Sequence, residues 1–107
     1  MKKIVLAIAL TLTASFSYAG SSDYGTISNL YVDESGNMAI KLNNGFPNAI
    51  ASDQCPTNNG WAGVISESKE LKSALLAAKA TQSSISVSIY GCASNGSWFK
   101  VGAIYVN

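Results

Sequence analysis

Histidine and arginine are both missing from this 107-residue chain. Without histidine, neither a Ser-His-Asp triad nor a Cys-His pair can be assembled. Without arginine there is no planar fork for phosphate, which argues against recognition of nucleic acid. Charge is scarce as well, at 12% of residues, and all seven basic residues are lysines. The carboxylates Asp23, Asp33, Glu34, Asp53, Glu67 and Glu70 follow no catalytic or metal-binding spacing. Asp33-Glu-Ser-Gly-Asn37 lacks the alternating ligands of a calcium loop. No glycine-rich phosphate loop opens a helix. The chain is therefore expected to be no enzyme and to need no cofactor or metal.

What is present begins with an export signal. Met1-Lys2-Lys3 is a short basic region, Ile4 to Leu12 an apolar run, and Ser17-Tyr18-Ala19 places small residues at the −3 and −1 positions. This pattern predicts a secretory signal peptide over residues 1–19, cut after Ala19, with export to the periplasm or beyond. The run is too short and wrongly flanked for a transmembrane span. The expected mature domain, residues 20–107, keeps five lysines against six acids. A net charge of −1 gives no field that would draw nucleic acid or an anionic membrane. Cys55 and Cys92 both fall in the exported part. An even count in an oxidising compartment predicts one disulfide. A redox pair or metal ligands are the alternatives, but neither cysteine sits in a C-x-x-C.

The hydrophobic period switches once, between Ser66 and Cys92. Leu71, Ala74, Leu75 and Ala78 form one apolar stripe at helical spacing, and no Gly, Pro or β-branched residue interrupts Glu67 to Ala80. A helix over Glu67–Thr81 is predicted, N-capped by Ser66, with Glu67 and Glu70 near its positive end and Lys79 near its negative end. Leu76 lies off the stripe. Ile85, Val87 and Ile89 then alternate with Ser84, Ser86 and Ser88, which is a strand with one dry and one wet face.

Elsewhere the chain reads as strands and loops. Ser21 to Asp23 is a polar lead-in. Tyr24–Asp33 reads as a long first strand whose imperfect alternation calls for a bulge or a passage between sheets. A turn over Asp33–Asn37 leads to a second strand at Met38–Leu42. Asn43 to Gly60 is expected to be loop. Trp61–Ile65 and Trp98–Val106 complete the set. Three strands, a helix and two strands is the order of the OB-fold, a five-stranded Greek-key barrel. An open α+β meander is the alternative.

Several aromatic side chains border polar turns: Phe46 beside Asn43, Asn44 and Asn48, Trp61 beside Asn58 and Asn59, and Trp98 beside Asn95 and Ser97. A flat ring stacks on the apolar C–H face of a sugar while amides and hydroxyls bond its hydroxyl groups. Such a mixture suits a binding site, although core or barrel-end plugs are the plainer reading of Trp61 and Trp98.

The run Ser73–Thr81, the strand ending Ile89-Tyr-Gly-Cys92 and the final Val101-Gly-Ala-Ile-Tyr-Val106 resemble a family of small secreted bacterial proteins. The order of parts also resembles the receptor-binding B subunits of AB5 toxins, of the cholera and subtilase-cytotoxin kinds. That resemblance covers roughly Gly25 to Val106 and rests on pattern. It implies an OB-fold, a disulfide, a glycan ligand and a pentamer around a helix-lined pore. The sugar site implied by the cholera-like type maps onto Asn95, Trp98 and Lys100, with Trp following Asn. The implied inter-helix surface maps onto Lys72, Leu76 and Lys79. The expected function is a secreted binding module for a glycan. The alternative is a small exported protein that binds or inhibits a protein partner and has no sugar site.

Overall fold

A computed structural model describes residues 20–64 and 68–107. The predicted signal peptide, and with it Ser66 and Glu67 of the predicted helix start, lie outside the described residues. The described chain is mostly β. Six strands, β1 (Ser21–Gly25), β2 (Ile27–Val32), β3 (Met38–Leu42), β4 (Ala62–Val64), β5 (Ile85–Cys92) and β6 (Phe99–Val106), form one mixed sheet. Two helices accompany it, α1 (Pro47–Ala51) and α2 (Lys69–Thr81).

The strand order is β1-β5-β6-β4-β3-β2. All neighbours are antiparallel except β4 and β6, which run parallel through Ala62–Phe99 and Gly63–Lys100. β1 and β2 are consecutive in the chain, with only Thr26 between them, yet they occupy opposite edges of the sheet. The sheet therefore curls until its two edges meet at Thr26. Asn43 fixes that corner: its backbone N–H donates to the Thr26 carbonyl at 2.9 Å, and its side-chain Oδ1 accepts from the Thr26 N–H at 3.0 Å. A Cβ on Gly25 would lie 2.3 Å from that same Oδ1, so the corner requires a residue without one.

The expected long first strand is thus two strands, and its broken alternation has a local cause. The pairing of β2 with β3 slips between Ile27 and Asn29, a bulge at Ser28. Past the slip, Leu30 faces Ile40 and packs on the core, while Asn29 and Tyr31 project from the outer face. The core fills the inside of the curl with Ile27, Ile40, Leu75, Ile85, Ile89 and Phe99, all 1% exposed or less. Each such side chain contributes about 1.5–3 kcal/mol on burial.

α2 closes the core with Leu75 and Ala78 buried and Leu71 packed against them, the stripe read in the sequence. Its cap is Ser68, two residues past the predicted Ser66: the Ser68 Oγ accepts from the Leu71 N–H at 3.1 Å. Glu70 stays in the first turn and Lys79 in the last, each matched to the helix dipole. Gln82 ends the helix in the left-handed conformation.

The expectation of a single helix is corrected by the structure, because the expected loop after Asn43 contains α1. Pro47 presets its first turn. Its two leading N–H groups, of Asn48 and Ala49, donate to the carboxylate of Asp23 at 2.9 and 3.0 Å. Asp23, read from sequence as part of a polar lead-in, is 2% exposed and lies inside the sheet opposite Val87.

Candidate functional site

The outer face of β2, β3 and β4 carries an aromatic cluster. Tyr31 faces Ala39 across β3, Ala39 faces Gly63 across β4, and Gly63 faces Lys100 across β6. The middle of that row is made of small residues, and the Trp98 ring lies on it. A Cβ on Gly63 would come within 2.3 Å of the Trp98 ring, so Gly63 acts as the seat of that tryptophan. Ala39 and Gly63 are consequently buried although they belong to an outer face. Tyr31 meets Trp98 edge-on at 5.7 Å between ring centroids and Trp61 at 6.3 Å. The Lys41 ammonium stands 5.0 Å from the centroid of the Trp61 ring, a cation–π contact.

Two loops bring the tryptophans together. The loop ending at Trp61 and the turn ending at Trp98 are joined by the Cys55–Cys92 disulfide. Further links run from the Asn59 N–H to the Ser97 carbonyl at 2.8 Å, from the Thr57 hydroxyl to the Gly96 carbonyl, and from the Phe99 N–H to the Trp61 carbonyl at 2.9 Å. Beside Gly63 and Lys100, where β4 and β6 part, a cavity of about 240 Å³ opens, bounded also by Val64, Cys92, Ala93, Ser94 and Val101. It is smaller than the roughly 300–1,000 Å³ of a typical small-molecule site. It can take one small group of a larger ligand.

The residues singled out from the sequence fall in different places. Trp61 and Trp98 join the cluster, and Lys100 borders the cavity. Asn95 is engaged within its own turn. Its Oδ1 accepts from the Ser97 and Trp98 N–H groups at 3.0 and 3.2 Å, which shapes the turn that delivers Trp98. Phe46 is 3% exposed and packs against Phe99 at 5.6 Å, within the core and away from the cluster. On α2, Leu76 is 47% exposed, and Lys72 and Lys79 are half-buried. Tyr31 and Lys41 are cluster members that the sequence pattern did not single out. The parity of the β2–β3 hairpin, once corrected for the bulge at Ser28, puts both on the tryptophan face.

Tyr31 is tied to the hairpin turn. Its hydroxyl donates to Asp33 Oδ2 at 3.1 Å. Asp33 also accepts from the Ser35 and Asn37 N–H groups and from the Asn37 amide. Partial desolvation is the largest single influence on Asp33 and pulls its pKa up. The donors from Asn37, Tyr31 and Ser35 together outweigh it and hold the carboxyl below its ordinary value. The same hydrogen bond, then the negative charge of Asp33, push the Tyr31 phenol above its ordinary value. The Asp33 contribution to stability is therefore present above the unfolded carboxyl pKa and lost as pH falls through the lower folded one. The Tyr31 contribution is present below the unfolded phenol pKa and lost as pH rises through the higher folded one. In an ultraviolet titration of the phenols, the transition removed by Tyr31→Phe is expected above the ordinary tyrosine range. Asp33→Asn should bring it down. A Tyr31 transition unmoved by Asp33→Asn would show that the pair does not form.

No helix among the described residues is long and apolar enough to cross a membrane. Comparison with protein-family models, with curated proteins and with solved structures finds no match.

Proposed function

We propose that this chain is an exported, non-enzymatic binding module on an OB-like barrel, and that it binds glycans through the Trp61–Tyr31–Trp98 face. The observation that carries the reading is the aromatic cluster itself. Rings gathered on the outside of a sheet leave apolar area in water that the core does not use, and a sugar's C–H face covers such area well. Lys41, Lys100 and the adjoining cavity supply polar contacts around that platform. The barrel reading is supported by the parallel β4–β6 pair, by consecutive strands at opposite edges of the sheet, and by a helix placed before the last two strands. In that fold the face and loops concerned are ones that bind oligosaccharides and oligonucleotides. The lack of arginine and the expected mature charge of −1 favour the saccharide. Export is supported by the leader-like residues 1–19 and by a disulfide of the kind an oxidising compartment maintains. Homo-oligomeric assembly of the B-subunit-like kind would run through α2, where Leu76 is exposed.

A glycan array with wild type and Trp98→Ala tests the site. Removing one stacking platform is expected to weaken binding roughly tenfold or more. Absence of any glycan binding by the wild type would reject the lectin reading and favour a protein partner. Light scattering tests the assembly: a monomer at high concentration rejects the pentamer and leaves the sugar site standing.

A further inference from the structure

The other half of the sheet carries a second group of exposed aromatics, on β1, β5 and β6. Tyr24 faces Ser86, and Ser86 faces Tyr105. The next row outward along β1 and β5 is Ser22, Ser88 and Ala103. Asp23 and Val87, between these rows, point inward and are buried, so both rows lie on the outer face. Adjacent strands are about 4.8 Å apart, which sets Tyr24 and Tyr105 about 10 Å from one another across Ser86. Tyr24 and Tyr105 are 66% and 68% exposed.

Tyr90 completes the group in a different posture. A Cβ on Gly20 or on Gly102 would lie 2.3 Å from its ring. The ring thus lies over the backbone of two positions that have no side chain, and its 50% exposure is that of a ring held by one face.

We propose that this outer face of β1, β5 and β6 is a second saccharide-binding face, taking a neutral glycan chain with Tyr90 as its stacking platform and Tyr24 and Tyr105 at its far end. Three observations select that ligand. The two rows contain no charged residue, and Lys100 is the one charged side chain on the outer face of these three strands, so neither a phosphate backbone nor an acidic or basic peptide finds a run of counter-charges there. The floor is hydroxyl-bearing where the centre of a protein–protein interface would be apolar. The hydroxyls of Ser22, Ser86, Ser88 and the three tyrosines bond no protein atom among the described residues. Free hydroxyls beside a flat ring match the alternation of hydroxyl edge and C–H face along a sugar chain. The site stands on residues separate from the Trp61–Tyr31–Trp98 face, and the two readings can fail independently.

The test uses immobilised neutral oligosaccharides built from glucose, xylose or N-acetylglucosamine. The proteins compared are wild type, Tyr90→Ala, the pair Tyr24→Ala with Tyr105→Ala, and Trp98→Ala. The expected result is at least a tenfold loss for a set of these glycans in both tyrosine variants, with that set retained by Trp98→Ala. The tyrosine pair is well exposed, so it answers the question even if Tyr90→Ala fails to fold. Wild-type binding of none of these glycans overturns the proposal. So does wild-type affinity in the tyrosine pair. Loss confined to Trp98→Ala also overturns it, and leaves the tryptophan face as the sole site.

Discussion

Replacing Cys55 and Cys92 together by alanine is expected to lower stability by about 3–4 kcal/mol, because the 37-residue separation between them sets the loop entropy released in the unfolded chain. For a domain of this size that corresponds to a fall in Tm of roughly 15–30 °C. Against a usual total of about 5–15 kcal/mol, the loss takes a large part of what holds the fold. The double variant is the right comparison, since a single substitution leaves a free thiol. The denaturant slope should also rise, because an unfolded chain without the cross-link exposes more surface. A Tm within a few degrees of wild type would mean that the reduced unfolded chain is already confined, and the entropic account would be wrong.

The same substitution reaches the candidate site. Cys55 precedes the loop that delivers Trp61, and Cys92 precedes the turn that delivers Trp98. Three backbone or hydroxyl bonds also lace those segments, so the tryptophans should lose their mutual placement more gradually than the protein loses stability. Tryptophan emission measured well below the variant's own Tm separates the two effects. A spectrum like that of wild type shows that the hydrogen bonds alone seat the cluster.

How far the sequence could be read depended on whether a signal was local. The α2 stripe, the serine–isoleucine alternation of β5 and the cysteine pair each lie within one element or follow from composition, and each is present in the structure. α1 is illegible because its five residues hold no period, and the carboxylate that takes its leading N–H groups, Asp23, lies two dozen residues upstream. That same distance hid Asp23, whose inward face is set by pairing with β5 late in the chain. The bulge at Ser28 inverted the apparent face of everything after it in β2, and Tyr31 was lost with it. The glycine seats were hidden for a related reason. Gly63 under Trp98, and Gly20 and Gly102 under Tyr90, acquire meaning only when distant segments lie over them. Phe46 shows the opposite case: its Asn-rich surroundings suggest a surface, while its ring turns inward onto Phe99.

Asp23→Ala is expected to cost about 2–4 kcal/mol, the second large effect in this domain. The carboxylate receives both leading N–H groups of α1, and the Ala49 N–H is buried. Alanine leaves that donor without a partner where water does not reach, and it leaves a gap inside the sheet beside Val87. Asp23→Asn should cost less than alanine but remain well short of wild type. Its one oxygen can satisfy one donor, while its NH₂ group would face the other. The comparison is therefore diagnostic of capping and not of volume, since asparagine and aspartate are nearly the same size. Loss of α1 would also free the Asn48 side chain that now donates to the Ser22 carbonyl at 2.8 Å on the edge of β1. Urea denaturation of the two variants measures the order. If Asp23→Ala falls within about 0.5 kcal/mol of wild type, the range of an ordinary surface change, α1 holds its place without this carboxylate. An asparagine variant as stable as wild type would mean that one hydrogen bond suffices.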